Sequence, residues 1–422
     1  MAISCSGAMA AYSLLLGGAI IAAPALRSGY TWRLSATMKR PMTRPFPTAK
    51  IGFLGGGQLV RMTLPAAARL GCEIHVLDPD PQCPASALAH RFSCGALDDP
   101  AALRALVEAN DVTTYEIEAV DTATLLTLEA EGHCILPSPR TVAMIQDKLK
   151  QKEAFAEAGL ATAPFVPCDE PCVDALLAFG TPLVQKARRG GYDGKGVSVF
   201  TDLIREDAIL PVPSLLEAHV DFSHELAVMV ARAPRGETVC YPVVEMVFDP
   251  AANLLDTLLA PARIPEATAK AAQALALAAV EALGGVGLFG VELFLTRDGS
   301  LLLNEVAPRS HNSGHWTAEA CVTSQFEQHL RAILDLPLGS PEQLRPAAML
   351  NLVAGAQAKG PATITGLEAA LAVPGCTVHL YGKAEARPFR KMGHATILAS
   401  SPAAALEAAQ SLRNALRFGE PE

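Results

Sequence analysis

Between residues 50 and 81 the sequence reads strand, glycine turn, helix, strand, and that order commits the first part of the chain to a parallel sheet. Residues 51–54 are a short apolar run and Gly55-Gly56-Gly57 a turn. Residues 58–70 carry apolar side chains at helical spacing up to Gly71, and residues 73–77 are a second apolar run before Asp78-Pro79-Asp80-Pro81. Sheets built this way bind ligands beyond the carboxyl ends of their strands, which puts the glycine turn at a ligand site. A helix over 99–109, a strand over 112–117 and a helix over 141–158 continue the pattern. Gly159, followed by Pro164 and Pro167, marks a boundary near 160.

The pattern then changes. Strands at 181–186 and 197–200 flank a glycine-rich loop and make a hairpin rather than a crossover. Strands follow at 215–217, 226–231 and 241–248, then an alanine-rich helix over 266–283 and a hairpin over 290–306 turning at Asp298-Gly299. A helix over 319–334 and a β-rich stretch over 346–400 complete the reading. With 422 residues, half of them apolar, the chain has material for two to four domains of about 100–200 residues each. Its 43 acidic against 34 basic residues, a net charge of −9, exclude the basic footprint of a nucleic-acid binder, so small-molecule partners are expected. Ten Cys without a CxxC pair read as reduced thiols of a cytosol-like compartment without structural zinc.

The first 49 residues read as an extension outside the fold. No charge occurs before Arg27 and no acid before Glu73, while Arg27, Arg33, Lys39, Arg40 and Arg44 are basic. An extended start with Met38 or Met42 as the true one, a transit peptide and a signal peptide all remain open. The stretch lacks 18 clean apolar residues, so no membrane span is expected.

Three groups of residues carry chemistry. Gly55-Gly56-Gly57 with Asp78 imitates a dinucleotide fingerprint, but Val60 stands at its third glycine, and a tight strand-to-helix turn explains the glycines equally. Residues 186–197 hold four glycines and four cations, a backbone suited to wrapping phosphate oxygens. An ordinary hairpin tip is the alternative there. In the last hairpin, a two-residue turn at Asp298-Gly299 sets Glu292 opposite Glu305 in otherwise apolar strands. Opposed like charges destabilise a sheet unless neutralised. With Asn304 alongside, the pair suits magnesium, which completes its shell with water and phosphate; a solvated edge pair is the plainer reading. A magnesium site with a cationic glycine loop points to ATP. Beyond it, residues 308–316 and the cations Lys383, Arg387, Arg390 and Lys391 with His394 suggest the walls of an anion pocket, Arg309 being the fork for phosphate; a satisfied loop network for the first and a solvated basic tip for the second are the alternatives.

Six blocks in order resemble the ATP-grasp superfamily: Gly-Gly-Gly-Gln-Leu-Val-Arg-Met at 55–62, Gln-Asp-Lys-Leu-Lys-Gln-Lys at 146–152, Gly-Gly-Tyr-Asp-Gly-Lys-Gly at 190–196, Asn-Glu-Val-Ala-Pro-Arg at 304–309, His-Asn-Ser-Gly-His-Trp at 311–316 and Arg-Lys-Met-Gly-His at 390–394. The last two narrow the resemblance to the ligases that carboxylate an aminoimidazole ribonucleotide in purine synthesis. The resemblance implies a mixed α/β and α+β fold: an N-terminal parallel-sheet domain (50–160), a lid (161–225), a large ATP-grasp subdomain (226–340) and a small C-terminal β-rich module (341–422), with the nucleotide between two sheets. It implies that Lys148 and Lys186 touch phosphates, and that Gly191, Tyr192, Asp193, Gly194, Lys195, Gly196 and Val197 form the lid loop. Glu217, Ala218, His219 and Val220 would hold adenine, Glu225 would lie near the ribose, and Asn304 would join Glu305 on the nucleotide. Glu292 and Glu305 would hold magnesium, or manganese in its place.

For bicarbonate, carboxyphosphate and 5-aminoimidazole ribonucleotide, the resemblance implies contacts from Tyr192, Asp193, Arg309, His311, Asn312, Ser313, Lys383, Arg390 and Lys391, with Glu116 facing the same cavity. It further implies a homodimer in the cytosol that passes product to a separate mutase, the N-terminal extension leaving an organelle-targeted form open. Four positions depart from the family pattern that the resemblance implies: Lys148 and Lys195 stand where relatives usually carry Arg, Phe248 where many carry His, and Phe389 where Gly is common. A formate-using ligase of the same superfamily, a dinucleotide-dependent oxidoreductase and a non-catalytic nucleotide-binding module are the competing readings.

Overall fold

The structure, a computed structural model, describes residues 46–191, 196–249 and 254–418. The readings of the N-terminal extension before residue 46, and residues 192–195 of the glycine loop, lie outside the described residues. Strand β1 (Ala49–Leu54), helix α1 (Gln58–Arg69) and strand β2 (Cys72–Asp78) form the expected unit. The fold starts slightly earlier than the sequence pattern: Ala49 is buried in β1, and Thr48 donates its N–H to Gly71 O at 2.8 Å. Strand β3 (Arg91–Cys94), helix α2 (Pro100–Glu108), strand β4 (Val112–Tyr115) and helix α3 (Thr122–Ala130) follow. The strands pair in parallel in the order β3-β2-β1-β4. The order reverses between β1 and β4, so the glycine turn after β1 and Glu116 after β4 flank the switch point where such sheets bind ligands.

The helix expected over 141–158 is two helices, α4 (Pro139–Ile145) and α5 (Lys148–Glu157). Gln146 donates from Nε2 to the carbonyls of Glu118 (2.7 Å) and Val120 (2.8 Å), and Asp147 leaves the helical path, extended, and caps the new helix by accepting from Leu149 N–H. The break sets Lys148 in the first turn of α5. The helix expected over 319–334 is likewise split into α8 (Thr317–Ala320) and α9 (Gln325–Ile333), the latter capped by Ser324.

Strands β5 (Phe165–Cys168), β6 (Leu183–Ala187), β7 (Val197–Phe200) and β8 (Ser214–Ala218), with helix α6 (Val173–Phe179), make a small antiparallel sheet ordered β5-β8-β6-β7. Strands β9 (Phe222–Arg232), β10 (Thr238–Cys240), β11 (Val244–Asp249), β12 (Leu254–Ala260), β13 (Gly287–Thr296), β14 (Leu301–Ala307) and β15 (Ala347–Val353) build a large sheet, with helix α7 (Glu266–Ala282) packed against it. Beyond helix α10 (Leu367–Leu371), strands β16 (Cys376–Leu380) and β17 (Lys391–Leu398) extend the same sheet, in the order β14-β13-β9-β11-β12-β15-β17-β16 with β10 beside β9. Helix α11 (Pro402–Ala415) covers this end.

Strand β9 shows why it is central. Leu226, Val228 and Val230 enter one core with α7, while Ala227, Met229 and Ala231 enter another with Trp316 and Tyr241, as the two-residue period of a strand dictates. Both faces are buried, and each large side chain contributes about 1.5–3 kcal/mol. Among the described residues no helix is long and apolar enough to cross a membrane.

Candidate active site

Strand β14 carries one residue more than its partner β13. Their hairpin closes at Thr296 and Ser300 around three residues rather than two, with Gly299 at φ 89°. Pairing runs Leu295–Leu301, Phe294–Leu302 and Leu293–Leu303, then resumes out of step at Val291–Val306. The longer turn and this bulge offset each other, so Glu292 stands opposite both Asn304 and Glu305. Asn304 Nδ2 donates to Glu292 Oε2 at 3.4 Å, and Lys186 Nζ donates to Asn304 Oδ1 at 2.8 Å.

The charges around the bulge are tightly matched. Lys148 ion-pairs with Glu305 and holds its carboxyl well below the usual range, against the effect of burial. Burial, then Glu305 and Glu225, push Glu292 up. Glu225, on β9, is pushed up to about 7 by burial, opposed by Lys186. Glu217, at the end of β8, pairs with Lys186 at 2.8 Å and Lys152 at 3.1 Å. Four carboxylates thus meet three lysines, and Glu292 cannot ionise cheaply beside Glu305 without a further cation. A divalent ion fits this set. Among the described residues no group of three or more His, Cys, Asp or Glu is arranged to hold a metal, so such an ion would draw the rest of its shell from water and substrate oxygens, as magnesium does.

The lid residues border this centre. Val197 opens β7 opposite Lys186, Gly196 accepts from Ala187 N–H at 2.8 Å and keeps φ at 76°, and Gly191 lies against it. Tyr192, Asp193, Gly194 and Lys195 are outside the described residues. The Glu217 side chain is engaged by lysines, so adenine would meet this segment through its backbone and through neighbouring side chains. A cleft of about 370 Å³ opens beside it, lined by Pro164, Ala218, His219, Val220 and Leu302 among others.

On the opposite side, Arg309 forks onto Glu118 with Nε and Nη2 at 2.6 and 3.1 Å, and it overcomes burial to hold that carboxyl below its usual range. Glu116, two residues earlier, is pushed up to about 7 by burial, opposed by Arg309. The glycine turn folds over it. A Cβ on Gly57 would lie 2.2 Å from Glu116 Oε1, so the close approach of backbone to carboxylate requires glycine. Asp78, the acid of the dinucleotide reading, accepts from Gly56 and Asp80 N–H at 2.7 and 2.8 Å and so ties this turn together.

His311 Nδ1 lies 2.8 Å from Ser313 Oγ and its Nε2 3.6 Å from Glu292. Burial and then Arg309 lower its pKa to about 4, so the ring is neutral. Ser313 is fully buried beneath it, while both amide atoms of Asn312 are buried without a hydrogen-bond partner among the described residues. The ring lies on Gly290, where a Cβ would come within 2.6 Å of His311 Cβ. Gly290→Ala is therefore expected to displace His311, lowering stability by about 1–3 kcal/mol and turnover about tenfold or more. Thermal unfolding and steady-state rates check both.

Lys383 donates to Lys391 O at 2.7 Å and lies 5.5 Å from the Tyr381 ring centroid, and Arg390 donates to Glu385 O at 2.9 Å. His394 does not belong to a basic tip. It is fully buried between His315 and His379, each 4.6 Å away ring to ring, and burial keeps it neutral. Phe389 has φ 60°, the left-handed region that glycine favours, which is a physical reason for Gly at this position in relatives. Phe248 lies in β11 at a bulge beside Val247. The sequence reading missed Glu118, Lys152 and the Asp147–Arg188 pair (2.8 Å). Lys152 was findable, because it follows Lys148 by four residues and so shares its helix face.

Residues 48–146 match the ribonucleotide synthetase preATP-grasp domain, 153–326 the ATP-grasp domain, and 347–408 the phosphoribosylaminoimidazole carboxylase C-terminal domain. The N5-carboxyaminoimidazole ribonucleotide synthase of Brucella melitensis is 42% identical over 358 residues, 83% of this chain and 96% of that one. The phosphoribosylaminoimidazole carboxylase of Saccharomyces cerevisiae is 41% identical, the match covering 84% of this chain and 64% of the yeast enzyme. The crystal structure of N5-carboxyaminoimidazole ribonucleotide synthetase from Thermotoga maritima superposes with a TM-score of 0.82 at 45% identity, covering 88% of this chain and 100% of that one. The Aspergillus clavatus enzyme in complex with ADP and 5-aminoimidazole ribonucleotide has a TM-score of 0.78 at 37% identity, covering 87% and 98%. With an ATP-grasp fold behind its parallel-sheet domain and relatives this similar along most of its length, the chain belongs to the N5-carboxyaminoimidazole ribonucleotide synthase family.

Proposed function

We propose that the chain is an ATP-dependent ligase that carboxylates the amino group of 5-aminoimidazole ribonucleotide with bicarbonate, in purine biosynthesis. The observation that carries this reading is the half-buried Glu292, Asn304 and Glu305 group, faced by Lys148 and Lys186 and bordered by the Arg309 to Asn312 segment. A bicarbonate oxygen attacks the γ-phosphate of ATP to give carboxyphosphate and ADP. The substrate amine then attacks the carboxyl carbon, phosphate leaves, and the nitrogen loses a proton.

Little covalent chemistry falls to the protein, whose work is placement and charge stabilisation. Lys148 and Lys186 meet the phosphates, with Gly191, Gly196 and Val197 and the intervening Tyr192, Asp193, Gly194 and Lys195 as further nucleotide contacts. The backbone of Glu217, Ala218, His219 and Val220 holds adenine, and Glu225 reaches the ribose. Glu292, Asn304 and Glu305 would hold magnesium, or manganese in its place, whose charge when bound offsets that of the phosphates. Arg309, neutral His311 and the amide of Asn312 bind bicarbonate and carboxyphosphate, with Ser313 orienting His311. Glu116, Lys383, Arg390 and Lys391 line the acceptor side. We read the enzyme as a cytosolic homodimer whose product passes to a separate mutase, an organelle-targeted form being the alternative.

The test is phosphate release from ATP with magnesium and bicarbonate, with and without 5-aminoimidazole ribonucleotide. Release that requires both bicarbonate and the ribonucleotide is expected. Release supported by formate in place of bicarbonate would shift the reading to a formate-using ligase, and ATP binding without any turnover would leave a binding module.

A further inference from the structure

The mechanism leaves one buried cation without a task. Lys152 has a side chain only 3% exposed; its ammonium donates to Thr162 Oγ1 at 2.5 Å and Leu303 O at 3.1 Å and pairs with Glu217 Oε1 at 3.1 Å. Groups from three segments thus hold one lysine, two of them by hydrogen bonds and Glu217 by charge. Lys186 shares the same carboxylate, at 2.8 Å from Oε2, and donates to Asn304 Oδ1 at 2.8 Å. Lys186 is at the rim of the site and Lys152 behind it. Of the two lysines on Glu217, Lys152 is fixed and Lys186 is the one able to turn toward an anion.

We propose that Lys152 is a positioning residue that keeps Glu217 neutralised in place of Lys186, so that Lys186 meets the nucleotide phosphates as an uncompensated cation. The inference rests on the reading of Lys186 as a phosphate contact. A buried carboxylate served by a single lysine would retain it, because an unpaired buried charge is costly. Here burial opposes ionisation of Glu217, and Lys186 and Lys152 together overcome it, holding the carboxyl below its usual range. The same contacts tie the end of β8 to Leu303, the residue before Asn304, so the adenine segment and the carboxylate bulge keep their separation.

The test compares the full-length wild type with Lys152→Met and with Lys152→Met/Glu217→Gln, varying ATP at saturating bicarbonate and ribonucleotide. Lys152→Met is expected to raise KM for ATP and lower kcat, with kcat/KM falling about tenfold or more. Adding Glu217→Gln removes the charge that captures Lys186 and is expected to return about fivefold or more of that loss. A purely structural lysine shows no such rescue, since the double variant removes more native contacts than the single. A smaller loss in a folded Lys152→Met, or a folded double variant no better than the single, overturns the proposal. Where the single variant fails to fold, the double variant, which leaves no unpaired carboxylate at this position, decides: kcat/KM within about tenfold of wild type supports the role, and a larger loss overturns it. Wild-type activity separates the two levels. Its absence overturns the function and this role with it, whereas an active wild type with an indifferent Lys152 overturns the role alone.

Discussion

Glu305→Ala is expected to lose about 10³-fold or more of ribonucleotide-dependent phosphate release while keeping its fold. The carboxylate is the counter-ion of Lys148 and half of the pair offered to magnesium, so one substitution removes two kinds of charge matching. Lys148 is kept protonated by Glu305 against the opposing effect of burial, and without that partner its protonated form is less favoured. Glu292 loses the repulsion that helps to raise its pKa, but as a single carboxylate it holds a divalent ion poorly. The fold is spared because 40% of the Glu305 side chain is open to the cleft. Phosphate release across a magnesium titration, with thermal unfolding as control, checks the expectation. Turnover within about tenfold of wild type would sink the assignment.

Arg309→Ala is expected to lower kcat/KM for the ribonucleotide about 10²-fold or more and to change how stability depends on pH. In the wild type Arg309 holds the Glu118 carboxyl low, and it opposes the rise that burial imposes on Glu116. Glu118 therefore contributes stability that is present above its unfolded pKa and is lost only as pH falls through the lower folded value. Without Arg309, burial acts unopposed by that cation and raises both carboxyls. A raised carboxyl stabilises the fold only at low pH and loses that contribution as pH rises from the unfolded value through the folded one. The variant and wild type should accordingly differ least near pH 4 and most near pH 8, by about 2 kcal/mol at the upper end. Thermal unfolding across that range reads the difference; a gap that stays constant or widens on acidification contradicts it.

What could be read from the sequence depended on whether a residue announced its surroundings locally. The alternation in β9 and the strand, glycine turn and helix at residues 51–70 are periodic, so their buried faces were legible. The break between α4 and α5 was not, because no glycine or proline marks it. It is imposed by distant partners, the carbonyls of Glu118 and Val120 on Gln146 and the guanidinium of Arg188 on Asp147. The bulge at Asn304 and Glu305 has the same character: a run of strand-forming residues gives no sign that one of them is extra. His394 shows the limit of reading charge from composition. It follows Arg390 and Lys391, but the strand turns its ring into the core against His315, so two blocks read as one polar theme meet through packing.

The small sheet β5-β8-β6-β7 shares no strand with the large one among the described residues. The chain enters it through residues 158–164 and leaves through 219–221, and both passages are fastened to the β13–β14 hairpin: Leu303 N–H donates to Ala161 O at 2.8 Å, and Arg297 pairs with Asp221 at 2.8 Å. On the glycine-loop side the sheet is moored as well, since Lys148 N–H donates to Arg188 O at 2.9 Å and Arg188 pairs with Asp147 at 2.8 Å. A sheet fastened on two sides moves by releasing one of them. Letting go of the two Arg188 contacts would widen the phosphate end while the hairpin keeps the adenine segment in place.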